Sequence, residues 1–134
     1  MRARIPQIIF AVGLVVLVVL LLALPQRRRL TYNPGSEVTI EGTVQQVNDF
    51  YCPISNGEGT HLLVATDAGV VQVHVAPKVF LRTNNWNFSP GDRVQIVGSR
   101  MIYAGHAAVV ARTISRNNLT LAFREKDGKP LWTD

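Results

Sequence analysis

The sequence predicts a small all-β domain preceded by one transmembrane α-helix. Two observations lead to this fold class. Within the first 30 of the 134 residues lies a long apolar run with basic residues on both sides. After it, short runs rich in β-branched residues recur, separated by clusters of Gly, Pro and Asn that are typical of turns.

The predicted membrane anchor is residues 5–26. These 22 residues carry no charge and are dominated by Val, Leu and Ile. A helix that rises about 1.5 Å per residue needs about 20 such residues to cross the hydrocarbon layer of a bilayer. A cleaved signal peptide is the alternative, but cleavage after Ala23 would put Leu21 where a small residue is needed. We therefore expect residues 1–30 to be an uncleaved anchor and the lipid bilayer to be its partner.

The basic flanks of the anchor do not fix its orientation. Arg2 and Arg4 precede the apolar run, and residues 27–29 are three further arginines. The positive-inside rule needs an excess on one side. The short N-terminal tail and the small domain favour an exported C-terminal domain.

The charge of the domain argues against nucleic acid as a partner. The chain has a formal net charge of +5, but five of its 14 basic residues flank the apolar run, and the other nine are balanced by nine acidic residues. Phosphate-backbone binding draws on several Lys and Arg contacts on one face. Binding of single strands at the cytoplasmic face therefore remains only an alternative.

Five runs of alternating or β-branched residues predict the strands of the domain. Pro77 opens a short helical segment, residues 77–82, between the third and fourth runs. This order, with a glycine-bent first strand, is that of a five-stranded OB-like barrel, which we predict for residues 31–116. The predicted strands are residues 38–47, 60–66, 70–75, 93–98 and 107–115.

Two details of these strands bear on the site. Gly42 predicts a bend or bulge in the first strand, and residues 48–59 are predicted to form a loop. In the third strand three valines alternate with Gln72 and His74. We therefore expect His74 on a solvent-exposed face.

The last residues, 117–134, predict a C-terminal hairpin or arm on the barrel. Every second residue from Leu119 to Phe123 is apolar, and a turn at residues 126–129 follows. We expect Trp132 to pack against the domain and to hold the terminus in place.

The loops joining strands one to two and four to five supply the candidate ligand-binding residues. OB barrels bind ligands through one sheet face and these loops. Aromatic side chains there would stack on a ligand or on a partner protein, or would close the end of the barrel instead. The candidates are Phe50, Tyr51, Arg100, Tyr103 and His106.

The single cysteine and the three histidines are the other reactive residues. Cys52 excludes an intrachain disulfide and any Cys-x-x-Cys motif, and we expect a partly buried loop thiol because no basic residue is near it in sequence. Imidazole is the commonest transition-metal ligand. A joint site of His61, His74 and His106 would need the fold to bring two strands and the last turn together. Solvated or hydrogen-bonded histidines are the simpler interpretation, so the sequence predicts neither a metal nor a cofactor.

Motifs for catalysis are missing from the sequence. It has no paired-carboxylate motif, nucleophile elbow, phosphate-binding glycine loop or HExxH. We therefore expect no enzymatic activity.

Three segments resemble the OB-like domain of the magnetosome proteins MamS and MamX and their relatives. They are residues 91–100 (GDRVQIVGSR), 119–121 (LTL) and 130–132 (PLW), and the resemblance covers about residues 36–132. It implies a location in the cell envelope and a role in redox or iron handling. The chain has no Cys-x-x-Cys-His motif for haem attachment, which puts an electron-transfer role through such a haem in doubt.

The architecture is also similar to that of the haem chaperone of cytochrome c maturation. That family attaches haem at a histidine after the barrel, whereas no histidine follows His106 here. Haem-chaperone activity is therefore rejected.

These observations predict a non-enzymatic, single-pass protein of the bacterial inner membrane. Its periplasmic domain would bind a protein partner or a small envelope ligand. Metal or haem handling in the envelope is the main alternative, and single-stranded nucleic-acid binding at the cytoplasmic face is the other.

Overall fold

The computed structural model describes residues 5–22 and 31–132. Helix α1, Ile5–Leu22, forms over most of the predicted anchor. In the described part of the chain, no helix was found with the length and apolar character needed to span a bilayer. Residues 23–26 of the predicted anchor and its arginine flanks lie outside the described residues.

The described part of the domain after α1 consists of six strands and one short helix. A single 3-10 turn, Pro34–Ser36, leads into the first strand. The elements are β1 Glu37–Cys52, β2 Gly57–Thr66, β3 Gly69–Pro77, α2 Lys78–Thr83, β4 Arg93–Tyr103, β5 His106–Arg116 and β6 Leu119–Ala122.

The strands form one sheet whose hydrogen bonding closes into a ring. β1 pairs antiparallel with β2 and with β4, β2 pairs with β3, and β4 pairs with β5. A short parallel pairing between β3 and β5, which includes His74 opposite Val110, closes the ring. The prediction of a mostly β domain with one short helix is confirmed. The predicted C-terminal arm supplies a sixth strand, β6, which pairs with β5.

Two glycines permit the strong bending that a closed ring needs. A Cβ at Gly42 would lie 2.3 Å from the carbonyl oxygen of Ala65, and a Cβ at Gly98 would lie 2.3 Å from that of Val110. Real Cβ atoms do not approach this closely, so only glycine fits at either position. The bulge predicted at Gly42 lies just after it, between Val44 and Gln46.

The core of the domain is mostly aliphatic, with two buried aromatic rings, Phe88 and Phe123. Leu81 of α2 belongs to this core. As predicted, Trp132 packs against it, with its ring centroid 5.7 Å from that of Phe80. The largest fully buried apolar side chains are Val44, Leu62, Val64, Val73, Ile96, Val110, Ile114 and Phe123.

The prediction of a loop over residues 48–59 is wrong. β1 continues to Cys52 and β2 begins at Gly57, so only residues 53–56 connect them. The backbone of this extension pairs with β2, with Phe50 opposite Gly59 and Cys52 opposite Gly57. A two-stranded ladder is held by backbone groups, so it can continue where the side chains show no apolar alternation.

Candidate functional site

Three potential metal ligands meet on three neighbouring strands. Cys52 is the last residue of β1, His61 lies in β2, and His74 lies in β3. His61 and His74 stand directly opposite each other in the β2–β3 register. The cysteine sulfur and one nitrogen from each imidazole all lie within 4.8 Å of one another.

All three side chains are buried. Cys52 is 3% exposed, His61 is 1% exposed, and His74 is 2% exposed. The predictions of a solvent-exposed His74 and of a partly buried loop thiol at Cys52 are therefore wrong.

Aromatic rings explain why this face of the sheet is dry. The ring of Phe50 stacks on His61, with the centroids 3.7 Å apart and the planes nearly parallel. Tyr103 meets His74 edge to face, with a centroid distance of 4.7 Å. Between them, the two imidazoles meet edge to face at 4.7 Å. The four rings thus form a continuous row that shields the histidines from solvent.

The imidazoles have almost no hydrogen-bond partners. The sulfur of Cys52 lies 3.5 Å from Nδ1 of His74. Nε2 of His74 and both nitrogens of His61 make no well-formed hydrogen bond to the residues that the structure describes. Leaving a buried polar group unpaired costs about 1–3 kcal/mol, so most such groups are paired. Three such nitrogens in one place are therefore open to a ligand, and a metal ion could take one nitrogen from each ring.

Burial keeps both imidazoles neutral. Desolvation lowers the pKa of His74 to about 4, and the neighbouring His61 adds to this shift. Desolvation also lowers the pKa of His61, and it outweighs weak hydrogen bonding to the backbone of Gly59 and Asn48 and the negative charge of Asp49, which raise it. Near pH 7 the lone pairs of both rings are therefore free, which is the state that metal binding requires.

A buried arginine from the C-terminal segment lies beside the cysteine. Arg124 is 6% exposed, and its Nε has no hydrogen-bond partner in the described part of the chain. Its Nη1 donates a hydrogen bond to the carbonyl oxygen of Gly128 at 3.1 Å. Burial lowers the pKa of Arg124, whereas Cys52 raises it. A cavity of about 10 Å³ is bordered by Cys52, Ser55, His74 and Arg124. It has room for one water molecule at most.

The geometry suits a transition-metal ion after a small adjustment. Metal–sulfur bonds of about 2.3 Å and metal–nitrogen bonds of about 2.0–2.1 Å place the ligand atoms about 3.5–3.8 Å apart. The distance between the Cys52 sulfur and His74 Nδ1 is already 3.5 Å. Because no pair of ligand atoms in the cluster is more than 4.8 Å apart, small side-chain rotations would complete the coordination.

The candidate residues chosen from the sequence divide between this cluster and the surface. Phe50 and Tyr103 cover the two histidines. Tyr51 is 63% exposed, and its hydroxyl donates a hydrogen bond to the Oδ1 atom of Asn56 at 2.9 Å. Arg100 is exposed.

The third predicted histidine lies elsewhere. His106 is exposed at the start of β5, opposite Tyr103, and is not part of the cluster. The third member of the cluster is Cys52, which the sequence analysis placed in a loop.

A signal for the histidine pair was present in the sequence. His61 lies five residues before Thr66, and His74 lies five residues after Gly69, while Thr66 and Gly69 pair across the hairpin turn. Counting outwards from a two-residue turn at residues 67–68 would have placed the two histidines opposite each other, whereas the predicted strands 60–66 and 70–75 leave a three-residue turn that shifts the register by one. Arg124 gave no such signal, because its position depends on how the C-terminal segment folds back.

Comparison with known proteins identifies one family. The family model of the MamS/MamX magnetosome protein family matches residues 36–121. The match runs from just before β1 into β6 and includes Cys52, His61 and His74. It confirms the resemblance found at residues 91–100 and 119–121, whereas residues 130–132 lie beyond it. A search of curated proteins found no match.

Proposed function

The chain belongs to the MamS/MamX magnetosome protein family, and from this premise we propose that it is a non-enzymatic envelope protein whose domain binds one transition-metal ion. The observation that carries the proposal is the buried cluster of Cys52, His61 and His74, with three imidazole nitrogens that lack partners. A thiolate and two neutral imidazoles are ligands that late transition metals accept.

The surroundings of the cluster favour binding over catalysis. The cavity beside the ligands measures about 10 Å³, whereas substrate pockets are usually about 300–1,000 Å³. Phe50 and Tyr103 also cover the imidazoles. A metal ion would fit among these side chains, but an organic substrate would have no access to it.

We propose that the closed ring of strands is an OB-type barrel. The pairing order, with β1 between β2 and β4 and a parallel contact between β3 and β5, supports this assignment. The position of α2 between β3 and β4 also supports it.

We also propose that residues 5–26 anchor the domain in the bacterial inner membrane, with the domain in the periplasm. The support is the uncharged run of 22 residues, which is long enough to cross the hydrocarbon layer as a helix. A phosphatase reporter fused after Asp134 should be active in the periplasm. Activity of a cytoplasmic fluorescent reporter in its place would contradict this topology.

The metal-binding proposal is tested by equilibrium dialysis of the full chain in detergent. Separate samples are dialysed anaerobically against Cu(I) and Zn(II), and bound metal is counted by mass spectrometry. We expect about one ion per chain for at least one metal, and about a hundredfold weaker binding in Cys52→Ser and His74→Gln, because a lost ligand removes several kcal/mol.

The matched control is His106→Gln, which alters an exposed histidine outside the cluster. It should bind metal like the wild type, and circular dichroism should show that all variants are folded. The proposal fails if the wild type binds neither metal, or if His106→Gln loses as much affinity as His74→Gln.

A second candidate function is protein binding through the ends of two hairpins. Three apolar or aromatic side chains are exposed there: Phe50 at 38%, Tyr51 at 63% and Ile102 at 68%. Exposed aromatic residues are enriched at protein interfaces. Recovery of a specific partner from membranes should fall in Tyr51→Ala and Ile102→Ala. It should not fall in Val70→Ala, which removes an exposed side chain at the β2–β3 hairpin.

A further inference from the structure

We infer that the cluster of Cys52, His61 and His74 selects monovalent copper, Cu(I), over divalent zinc. This inference rests on the metal-binding function proposed above and names the ion. Three features of the site lead to it: its charge, its number of ligands and its dryness.

The charge around the cluster favours a monovalent ion. Cys52 is the only anionic ligand, so a thiolate with Cu(I) is neutral, whereas a thiolate with Zn(II) keeps one positive charge. Arg124, which is 6% exposed, borders the same small cavity as Cys52. Placing a second net positive charge beside a buried guanidinium is unfavourable, because water cannot screen the repulsion.

The carboxylate of Asp49, which acts on His61, does not remove this preference. Asp49 acts electrostatically on His61, but one of its oxygens accepts a hydrogen bond from the Thr60 hydroxyl at 2.7 Å. The other lies 3.0 Å from the ammonium nitrogen of Lys78. Asp49 is therefore already neutralised, and the excess positive charge of Arg124 remains.

The number of ligands also favours Cu(I). Structural zinc sites are almost always tetrahedral with four protein ligands, and the cluster has three within the described residues. With no fourth protein ligand among the described residues, zinc would need a water ligand, and the cavity beside Arg124 measures about 10 Å³. Cu(I) is a soft ion that suits thiolate and imidazole, and three ligands can complete its coordination.

The row of rings keeps the site dry, which supports the same choice. Phe50 stacks on His61 and Tyr103 packs on His74, so solvent does not reach the imidazole faces. A divalent ion loses more hydration free energy than a monovalent ion on entering such a place. Charge, ligand number and dryness thus all favour Cu(I).

Competition titrations with chromophoric chelators test the inference on the full chain in detergent. One chelator is specific for Cu(I) under anaerobic reducing conditions, and the other is used with Zn(II). We expect Cu(I) to bind at least about a thousandfold more tightly than Zn(II). In Arg124→Gln, the Zn(II) affinity should rise about tenfold because a nearby positive charge is removed, while the Cu(I) affinity changes much less.

Two further variants make the result specific. Arg124→Lys keeps the positive charge and should keep the wild-type ratio of the Cu(I) and Zn(II) affinities. It therefore distinguishes an effect of the charge of Arg124 from an effect of its packing. Arg100→Gln removes an exposed arginine and should change neither affinity. The inference is overturned if Zn(II) binds as tightly as Cu(I), or if Arg124→Gln leaves the ratio unchanged. Failure of both metals to bind would overturn the proposed function as well, whereas tight Zn(II) binding alone would leave it standing.

Discussion

Two polar clusters in this domain differ in how their atoms are paired. In the first, Nε and Nη2 of Arg112 donate hydrogen bonds to the two carboxylate oxygens of Glu37 at 2.8 Å each, and the hydroxyl of Tyr32 donates to the same carboxylate. In the second, His61 and His74 are more deeply buried, yet three of their four ring nitrogens have no partner in the described structure. The difference indicates that the first cluster supports the fold, whereas the second is suited to a ligand.

The paired cluster holds the segment before β1 against the ring of strands. Tyr32 belongs to that segment, and Asn33 adds a hydrogen bond from its backbone N–H to Oγ of Ser99 in β4 at 3.0 Å. Hydrogen bonds from Arg112 and Tyr32 lower the pKa of Glu37 to about 2. Tyr32 and Asn33 are therefore fixed to the domain by contacts that need no ligand.

The largest expected effect is the gain in stability on metal binding. This gain should depend on the cluster of Cys52, His61 and His74 and not on the pair of Glu37 and Arg112. At a free metal concentration of about a thousand times the dissociation constant, binding adds about 4 kcal/mol to the free energy of unfolding. Cys52→Ser should lose nearly all of this gain, whereas Arg112→Met should keep it. Thermal unfolding with and without metal measures both. An equal gain in Cys52→Ser would contradict the division between the two clusters.

The next largest effect is the loss of the paired cluster. Arg112→Met should lower the free energy of unfolding of the metal-free protein by about 1–2 kcal/mol, because the charge-assisted hydrogen bonds to Glu37 are lost. Denaturant unfolding followed by circular dichroism measures it. Arg100→Met removes an exposed arginine and is the control; an equal loss there would show that the ion pair contributes nothing specific.

A smaller effect is expected at acidic pH. The pKa of Glu37 is about 2 in the folded protein and 4.5 in the reference state. Its contribution to stability is therefore complete above pH 4.5 and is lost as the pH falls through 2. The free energy of unfolding of the wild type should fall more steeply over this range than that of Glu37→Gln. Parallel slopes for the two proteins would show that the pairing does not depend on the charge of Glu37.

The smallest effect is expected from replacing an unpaired histidine by an apolar residue. His74→Leu has a similar volume and removes an unpaired nitrogen, so the metal-free protein should lose no stability and should gain up to about 1 kcal/mol. Unfolding of the metal-free variant measures this. A loss of about 2 kcal/mol or more would indicate that the contact of His74 Nδ1 with the Cys52 sulfur stabilises the metal-free fold.

Much of the fold could be predicted because β-branched runs, turn residues and the helix-opening Pro77 act within a few residues of the chain. The β2–β3 hairpin, α2 and the packing of Trp132 all follow from patterns within a few residues. The extension of β1 to Cys52 could not be predicted in this way, because it depends on backbone pairing with β2. The need for glycine at Gly98 also depends on another strand, since the clash would be with Val110.

The candidate site was predicted only in part, because its residues also depend on pairing between strands. His61 and His74 were recognised as possible ligands, but their pairing needed the register of the hairpin to be counted from its turn. Cys52 joins them only because β1 is longer than its side-chain pattern indicates. Arg124 reaches Cys52 through the fold of the C-terminal segment, which no local pattern encodes.

X-ray absorption at the edge of the bound metal tests the central claim most directly, with the full chain loaded with one ion in detergent. The account predicts one sulfur neighbour at about 2.3 Å and two nitrogen neighbours at about 2.0 Å, with the sulfur lost in Cys52→Ser. A spectrum with only oxygen or nitrogen neighbours, unchanged in Cys52→Ser, would contradict the assignment of the cluster as a metal site.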